Sequence, residues 1–494
     1  MDALVDGWES RLRELIGRMG HLFARPEPWE VFGDLVEGLL SDLEKKNCWT
    51  LAQRAGHTHP GRMQSFLCRG AWSADALEAE VRDYVVEHLG DPDGVLIIDD
   101  TQMVKKGDKS VGVAPQHCGA TNQIENCQVA VMLTYAAPGG HAFIGHRLYL
   151  PKRWTDDPQR CREAGIPAAV GFATKLDQAI ELLADAIAAR VPFGWVTMDG
   201  GYGQYPTVRN WMAGRSLPYV VATSSALPLA QISPASGAVA ITRADQLLSR
   251  LTDGDWQRRS CGAGSKGQRF YDWALVRLGG NLVAGDETPA DGFAHTLLIR
   301  RSITDPDDVT YFLAHAPDPT PAGTLIQVAG TRWKIEENNE QGKDLIGIDQ
   351  TQVRTWTAWH HTITACMFAH AFLAVQHANL PHDTNTDGDA RPVTGTPERE
   401  KPQPATRPPD RPRLAEPGPA HPRHRRRHPQ PARADRLGCP PRPPPQSALD
   451  PLAPQTQDPR PDQPLPTPRR LATHNPPKVG KTSSGQPTLK DPQL

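Results

Sequence analysis

Apolar residues recur at helical spacing through the first ninety positions. Trp8, Leu12, Leu15, Ile16 and Met19 fall on one helical face, and Val31, Leu35, Leu39 and Leu43 on another. A short helix is predicted from Trp49 to Ala55, ended by Gly56. After the turn His57-Thr58-His59-Pro60-Gly61 a second is predicted from Arg62 to Arg69. Two short helices across a tight turn, the second bearing Arg62, Gln64 and Arg69, have the form of a helix-turn-helix DNA reader; an ordinary helical hairpin has the same pattern. Leu77, Val81, Tyr84, Val85 and Leu89 predict one more helix before Gly90.

At Val95 the period changes. Val95–Ile98 is a continuous apolar run, as in a strand buried on both faces, and it is expected to end in Asp99-Asp100-Thr101. Lys105-Lys106-Gly107 then reads as a loop. Residues 126–136 and 142–150 alternate on either side of Pro138-Gly139-Gly140, which predicts a hairpin. Phe172 to Ala188 has the pattern of an amphipathic helix. Trp195–Met198 is a second buried strand, ending in Asp199-Gly200-Gly201-Tyr202, and residues 218–223 supply another. Open α/β sheets place their chemistry at strand carboxyl ends, so two strands that end in Asp are candidates to bring two carboxylates to one edge. The plain alternative is that each Asp caps its own turn. From about 225 to 330 strand-like pieces punctuated by Pro and Gly predict a β-rich insertion. Helix returns over 332–346 and again over 355–376, where Trp356, Trp359, Ile363, Met367 and Ala374 form a core-facing stripe.

Beyond about residue 381 the composition breaks: 29 of the 48 prolines lie there, with a basic run from Arg423 to His428. Such a segment cannot bury enough apolar surface to fold, so a disordered Pro/Arg-rich tail is expected, either a DNA-touching arm or the product of a reading-frame slip. The net charge of −2 conceals an asymmetry, because the tail holds 19 Lys/Arg against 12 Asp/Glu and leaves the rest near −9. A uniformly basic DNA-binding body is thereby excluded, and any positive surface has to be local. The eight cysteines include no CxxC pair, which argues against a zinc finger and for reduced thiols. No signal peptide is expected at the N-terminus, and the most apolar helical stretch, about 363–376, is too short to span a bilayer.

The candidate chemistry is acidic. In a helix over 332–346, Arg332, Glu336 and Lys343 share one face. Taken alone this R-x3-E-x6-K pattern reads as a solvated charged face. Set beside Asp99 and Asp199, Glu336 completes a set of three carboxylates, two at strand ends and one on a helix. Such a set suits Mg²⁺-type ions, which take a few carboxylates plus water and substrate phosphates. Two such ions activate a water or 3′-hydroxyl and steady the leaving oxygen of a phosphodiester. Arg332 and Lys343 would then hold phosphates.

The motifs IIDDT at 97–101, KKG at 105–107, NCQVAV at 126–131, LYLPKRWTDD at 148–157, MDGGYG at 198–203 and RWKIEE at 332–337 together resemble the DDE transposases of bacterial insertion sequences, in the branch with a Y-x2-R-x3-E-x6-K signature. The resemblance spans about residues 30–376. It implies a ribonuclease-H-like α/β catalytic domain over 93–380, with the β-rich insertion at about 225–330, after the all-helical region over 1–92 with possible DNA binding; the disordered tail over 381–494 departs from the family, whose members often add a helical tail there. It further implies a two-metal site for Mg²⁺ or Mn²⁺ on Asp99, Asp199 and Glu336, and DNA contacts from Arg332, Lys343, Lys105 and Lys106. The implied partners are double-stranded DNA, both terminal inverted repeats and target, and further copies of the chain in a synaptic complex, with no membrane. The implied location is the bacterial cytoplasm, at the nucleoid. Asp100, Glu337 and Glu340 are the neighbouring acids that compete for the assigned positions. Ala329 stands where the signature has tyrosine, and Asn338, Asn339 and Gly342 predict a soft Glu helix. Two other readings are a transposase-derived DNA-binding protein without catalysis and a structure-selective nuclease of the same fold.

Overall fold

The computed structural model describes residues 2–380, apart from 120, 233–238, 265–266, 279–280 and 284. The tail expected over 381–494 lies outside the described residues. The N-terminal helices are α1 (Asp2–Arg18), α2 (Pro26–Leu39), α3 (Cys48–Arg54), α4 (Gly61–Arg69) and α5 (Ala74–Leu89). Asn47 caps α3 by accepting from Trp49 and Thr50, and Ser73 caps α5, so both starts follow local side-chain chemistry. These helices are continuous with the rest of the fold. Their buried residues, Phe32, Leu35, Met63, Phe66 and Val81 among them, belong to the same hydrophobic core as the sheet.

The sheet opens with β1 (Val95–Val104), β2 (Ala114–Cys118), β3 (Gln123–Ala137) and β4 (Gly140–Leu148). After helix α6 (Lys175–Ala188) come β5 (Trp195–Met198), helix α7 (Pro206–Ala213) and β6 (Tyr219–Thr223). β1 runs antiparallel to β3, whose other edge carries both β2 and β4, and β1, β5 and β6 are parallel neighbours. β1 is longer than its apolar run predicts. Its polar half stays extended because β3 pairs with it residue for residue as far as Val104 opposite Cys127. Asp99 and Asp100 therefore lie inside a strand, although the parallel pairing with β5 does stop at Ile98 opposite Met198.

The β-rich segment continues this sheet. Strands β7 (Gln257–Gly264), β8 (Gly267–Arg277), β9 (Phe293–Arg301) and β10 (Val309–Pro317) extend it in the order β6-β10-β9-β8-β7. A separate three-stranded sheet joins Pro228–Ile232, Val239–Arg243 and Asn281–Val283. Neither it nor strands β2 and β7 carried a strong local signal.

Helices α8 (Ala322–Thr331), α9 (Trp333–Gln341) and α10 (Trp356–Ala378) close the fold. The expected helix over 332–346 is interrupted: Arg332 joins α8 to α9, and Gly342–Ile346 is a wide π turn. Gly342 marks the point at which the helical pitch changes. α8 packs on β7 through Gly330, where any side-chain carbon would overlap the Cys261 backbone carbonyl. α10 is buried almost all round, from Ala358 to Phe372, rather than along a single stripe. Helices α2, α4 and α5 and strand β4 pack against it. Among the described residues no helix is long and apolar enough to cross a membrane, and the seven cysteines are free thiols.

Candidate active site

Side chains alternate across a strand, and this alternation sorts the two acids of β1. Asp99 meets Arg332, whose Nη1 is 3.7 Å from its Oδ2. Asp100 turns to the opposite face, where Lys175 at the start of α6 approaches its Oδ2 to 2.5 Å and Gln102 holds its other oxygen. Asp199 follows Met198, the last residue paired with β1, and is the N-cap of a short helix at Gly200–Gly203. Its backbone carbonyl accepts from Gly203 at 2.8 Å, but its side chain makes no capping bond and Oδ1 is buried without a hydrogen-bond partner. That helix lies flush on β6, because a side-chain carbon at Gly203 would overlap the Ala222 carbonyl.

Charge is concentrated here. Burial, reinforced by the neighbouring Asp199 and Asp100 charges and opposed by Arg332, pushes the Asp99 carboxyl up to about 8. Burial and Asp100 raise Asp199 likewise, against the pull of Arg332. The Tyr202 hydroxyl is buried beside the same acids with no hydrogen-bond partner, and burial followed by Asp100, Asp99 and Asp199 raises its pKa well above the phenol value.

Glu336 comes from the other side. Its Oε1 contacts Nη2 of Arg332, so one guanidinium stands between Asp99 and Glu336. Asn338 anchors α9: its Nδ2 donates to Thr134 Oγ1 at 2.9 Å, and its Oδ1 accepts from His141 Nδ1 at 2.6 Å. The competing Glu337 faces away, 3.1 Å from His141 Nε2 and 2.8 Å from Lys334. The hydrogen bond from His141, with Lys334 in support and against the effect of burial, holds it down to about 2. Glu340 is exposed.

The structure thus brings Asp99, Asp199, Arg332 and Glu336 into one cluster. It places Lys343 within the π turn, so the simple helical phase that aligned it with Glu336 no longer applies. Lys105 departs from expectation, since its ammonium donates to the carbonyls of Asp349 (3.0 Å) and Thr351 (2.7 Å) and ties two loops together. Lys106 is exposed. Ala329, at the place of the signature tyrosine, is buried in α8. The Asp100–Lys175 pair and Tyr202 were not foreseen as parts of the site. Tyr202 lies inside the MDGGYG run, but nothing local links positions 100 and 175.

A divalent ion suits these residues: Asp99 and Asp199 lie close enough for each charge to oppose the other's ionisation, and a buried carboxylate oxygen of Asp199 has no hydrogen-bond partner. Among the described residues no three His, Cys, Asp or Glu side chains form a ready-made metal cage. Glu336 is held by Arg332 instead.

Two family models match the chain. One, described as DDE superfamily endonuclease, covers residues 29–236, and the other, Transposase DDE domain, covers residues 173–372. The chain is 26% identical over 208 residues to a protein of Microchaete diplosiphon named "Probable transposase for insertion sequence element IS701". That match takes in 41% of this chain and spans about half, 51%, of the curated relative. A solved structure titled "Cryo-EM structure of piggyBac transposase synaptic complex with hairpin DNA" aligns over 72% of this chain and 66% of that one. At 10% identity and a TM-score of 0.32 that likeness has no bearing on the fold. The two family models overlap in the stretch that holds Asp199, and together they take in Asp99 and Glu336 as well, so the chain is matched by DDE transposase models from residue 29 to residue 372.

Proposed function

We propose that the protein is a metal-dependent DNA transposase that cleaves the ends of its element and joins them to target DNA. The observation that carries this reading is the meeting of Asp99 in β1 with Asp199 just past the end of its parallel neighbour β5, with Arg332 at the start of α9 joining Asp99 to Glu336. A ribonuclease-H-like core is supported by the strand order β4-β3-β1-β5-β6, an antiparallel hairpin on one side of β1 and two parallel strands on the other.

In this reading Asp99, Asp199 and Glu336 hold Mg²⁺ or Mn²⁺ in a two-metal site. When bound, such ions activate the attacking oxygen and stabilise the leaving one. Arg332 holds Asp99 and Glu336 together, and its guanidinium would also have donors to offer a phosphate. Lys175 fixes Asp100 on the far face, so Asp100 adds negative potential without becoming a ligand. Lys343 and Lys106 contact DNA, and α3 and α4 present Gln64 and Arg69, both exposed, as the DNA-reading face. Two or more copies join the two ends in one complex.

The test is incubation of the purified protein with its flanking inverted repeats and Mn²⁺, beside Asp199→Ala. Wild type is expected to nick at the repeat boundary, and the variant to bind without nicking. Equal cutting by both would remove Asp199 from the chemistry. Binding without any cutting would favour a non-catalytic descendant, and cutting of junctions without joining a structure-selective nuclease.

A further inference from the structure

We propose that a cationic cleft beyond the far end of β1, lined by Lys109, Arg153, Arg160 and Arg354 and extended by the exposed Lys106 of the same loop as Lys109, binds the phosphate backbone of double-stranded DNA. It rests on the reading above in taking this duplex to be the one whose strand reaches the acids. Lys106 already belongs to that reading; the other four residues are new to it.

Three separate segments contribute. Lys106 and Lys109 lie in the loop after β1, Arg153 and Arg160 in the short helices Lys152–Thr155 and Pro158–Glu163, and Arg354 just before α10. Backbone bonds lock the segments together: Val111 N–H donates to the Arg354 carbonyl at 2.9 Å, and Trp356 N–H to that of Ala164 at 2.8 Å. The cleft between them measures about 600 Å³.

Its charge is unbalanced in a body that is otherwise acidic. Among the described residues none of the five cations lies in ion-pair range of a carboxylate, whereas Arg13, Arg18, Arg62, Arg147 and Arg209 all do. The acids that line the cleft are engaged elsewhere or fail to pair. Asp157 caps its own helix by accepting from the Arg160 backbone N–H at 3.0 Å, Glu163 accepts from Gln159 at 2.9 Å, and Asp108 offers Arg160 only its backbone carbonyl.

Arg160 is held in one orientation. Its guanidinium stacks 3.7 Å over Trp154, and one Nη donates to the Asp108 carbonyl at 2.9 Å. Trp154 is itself buried and fixed by its indole N–H, which donates to Val113 at 2.8 Å. A planar fork positioned in this way keeps most of its donors for an anion with several oxygens, the geometry of phosphate recognition. Burial, with the nearby Arg153 charge and against the pull of Asp108 and Asp157, presses the Arg160 pKa downward.

The spacing suits a duplex. Val104 lies five residues past Asp99 in one strand, about 17 Å at about 3.3 Å per residue. That is about five base pairs at 3.4 Å each, so the contacts fall at phosphates at least that far from the cut.

The test measures binding without catalysis. A labelled duplex carrying the element's end is titrated in EDTA across 50–200 mM salt, with wild type, Arg153→Ala/Arg160→Ala and the exposed pair Lys109→Glu/Arg153→Glu. Each lost phosphate contact is expected to reduce the slope of log K against log salt by about 0.9. Each double variant should then bind about tenfold more weakly or worse. Variants that melt like wild type and keep its affinity and salt slope would overturn the proposal, as would a wild type with no affinity for the duplex. Nicking with Mn²⁺ is read separately. A reduced slope in the variants with no nicking by wild type supports this cleft and removes only the catalytic reading. Nicking with unchanged slopes removes only the cleft.

Discussion

Arg332 lies 3.7 Å from Asp99 and in contact with Glu336, so a single side chain spans two acids more than two hundred residues apart in the chain. A planar guanidinium serves two carboxylates at once, and a lysine ammonium at the same place is a point charge. Arg332→Gln is expected to slow single-turnover nicking of an end duplex by about a hundredfold or more, the scale of losing one preorganised donor. Arg332→Lys should recover only a small part of this. A lysine variant as fast as wild type would mean that the bridging is incidental.

The Asp99 carboxyl gives the metal-free protein a pH signature. Its folded-state pKa, about 8, is above the ordinary 3.8. Its contribution to stability is therefore complete below about pH 4 and is lost as pH rises through about 8. In EDTA, Asp99→Asn should melt with wild type near pH 4.5 and several degrees above it at pH 8.5. Mn²⁺ should reverse the order at the higher pH, because only wild type keeps the ligand. Melting curves that stay parallel from pH 4.5 to 8.5 would contradict the assignment.

Asn338 is wholly buried and bonds to both Thr134 and His141. Asn338→Ala leaves those partners unsatisfied and should lower unfolding free energy by about 1–3 kcal/mol in denaturant titrations. Nicking should fall further than the lost stability alone explains, since α9 seats Glu336. An unchanged midpoint would show that α9 is fixed by other contacts.

Lys105 and Lys106 are neighbours with opposite expected behaviour. Lys105 is anchored on two backbone carbonyls, and burial lowers its pKa to about 8. Lys105→Met should reduce thermal stability and leave the salt dependence of DNA binding intact. Lys106→Met should do the reverse, lowering the salt slope by about 0.9. The experiment needs only melting curves and salt titrations on the two variants.

Much of the catalytic half was legible because its signals are local. The apolar runs before Asp99 and Asp199 and the alternating hairpin 126–150 fix β1, β5, β3 and β4 with little help from elsewhere. What could not be read depends on distant partners. The polar stretch Asp99–Gln102 is strand only because β3 pairs with it, and β7 to β10 join the main sheet only through the pairing of β10 with β6. α8 was hidden in a stretch rich in Pro and Gly. At the site, strand ends pointed to Asp99 and Asp199, and helical spacing pointed to Arg332 with Glu336. The same spacing carried Lys343 across a pitch change it cannot register, and a basic dipeptide gave no hint that Lys105 is internal.

The backbone-to-backbone seat of Gly330 on Cys261 has an engineering consequence. Because α8 runs directly into the helix bearing Glu336, the outermost strand of the sheet acts as a template for the position of the third acid. Trimming the β7–β8 hairpin to make a minimal enzyme, or exchanging it with that of a relative, would shift that acid even though the hairpin contributes none of the three carboxylates.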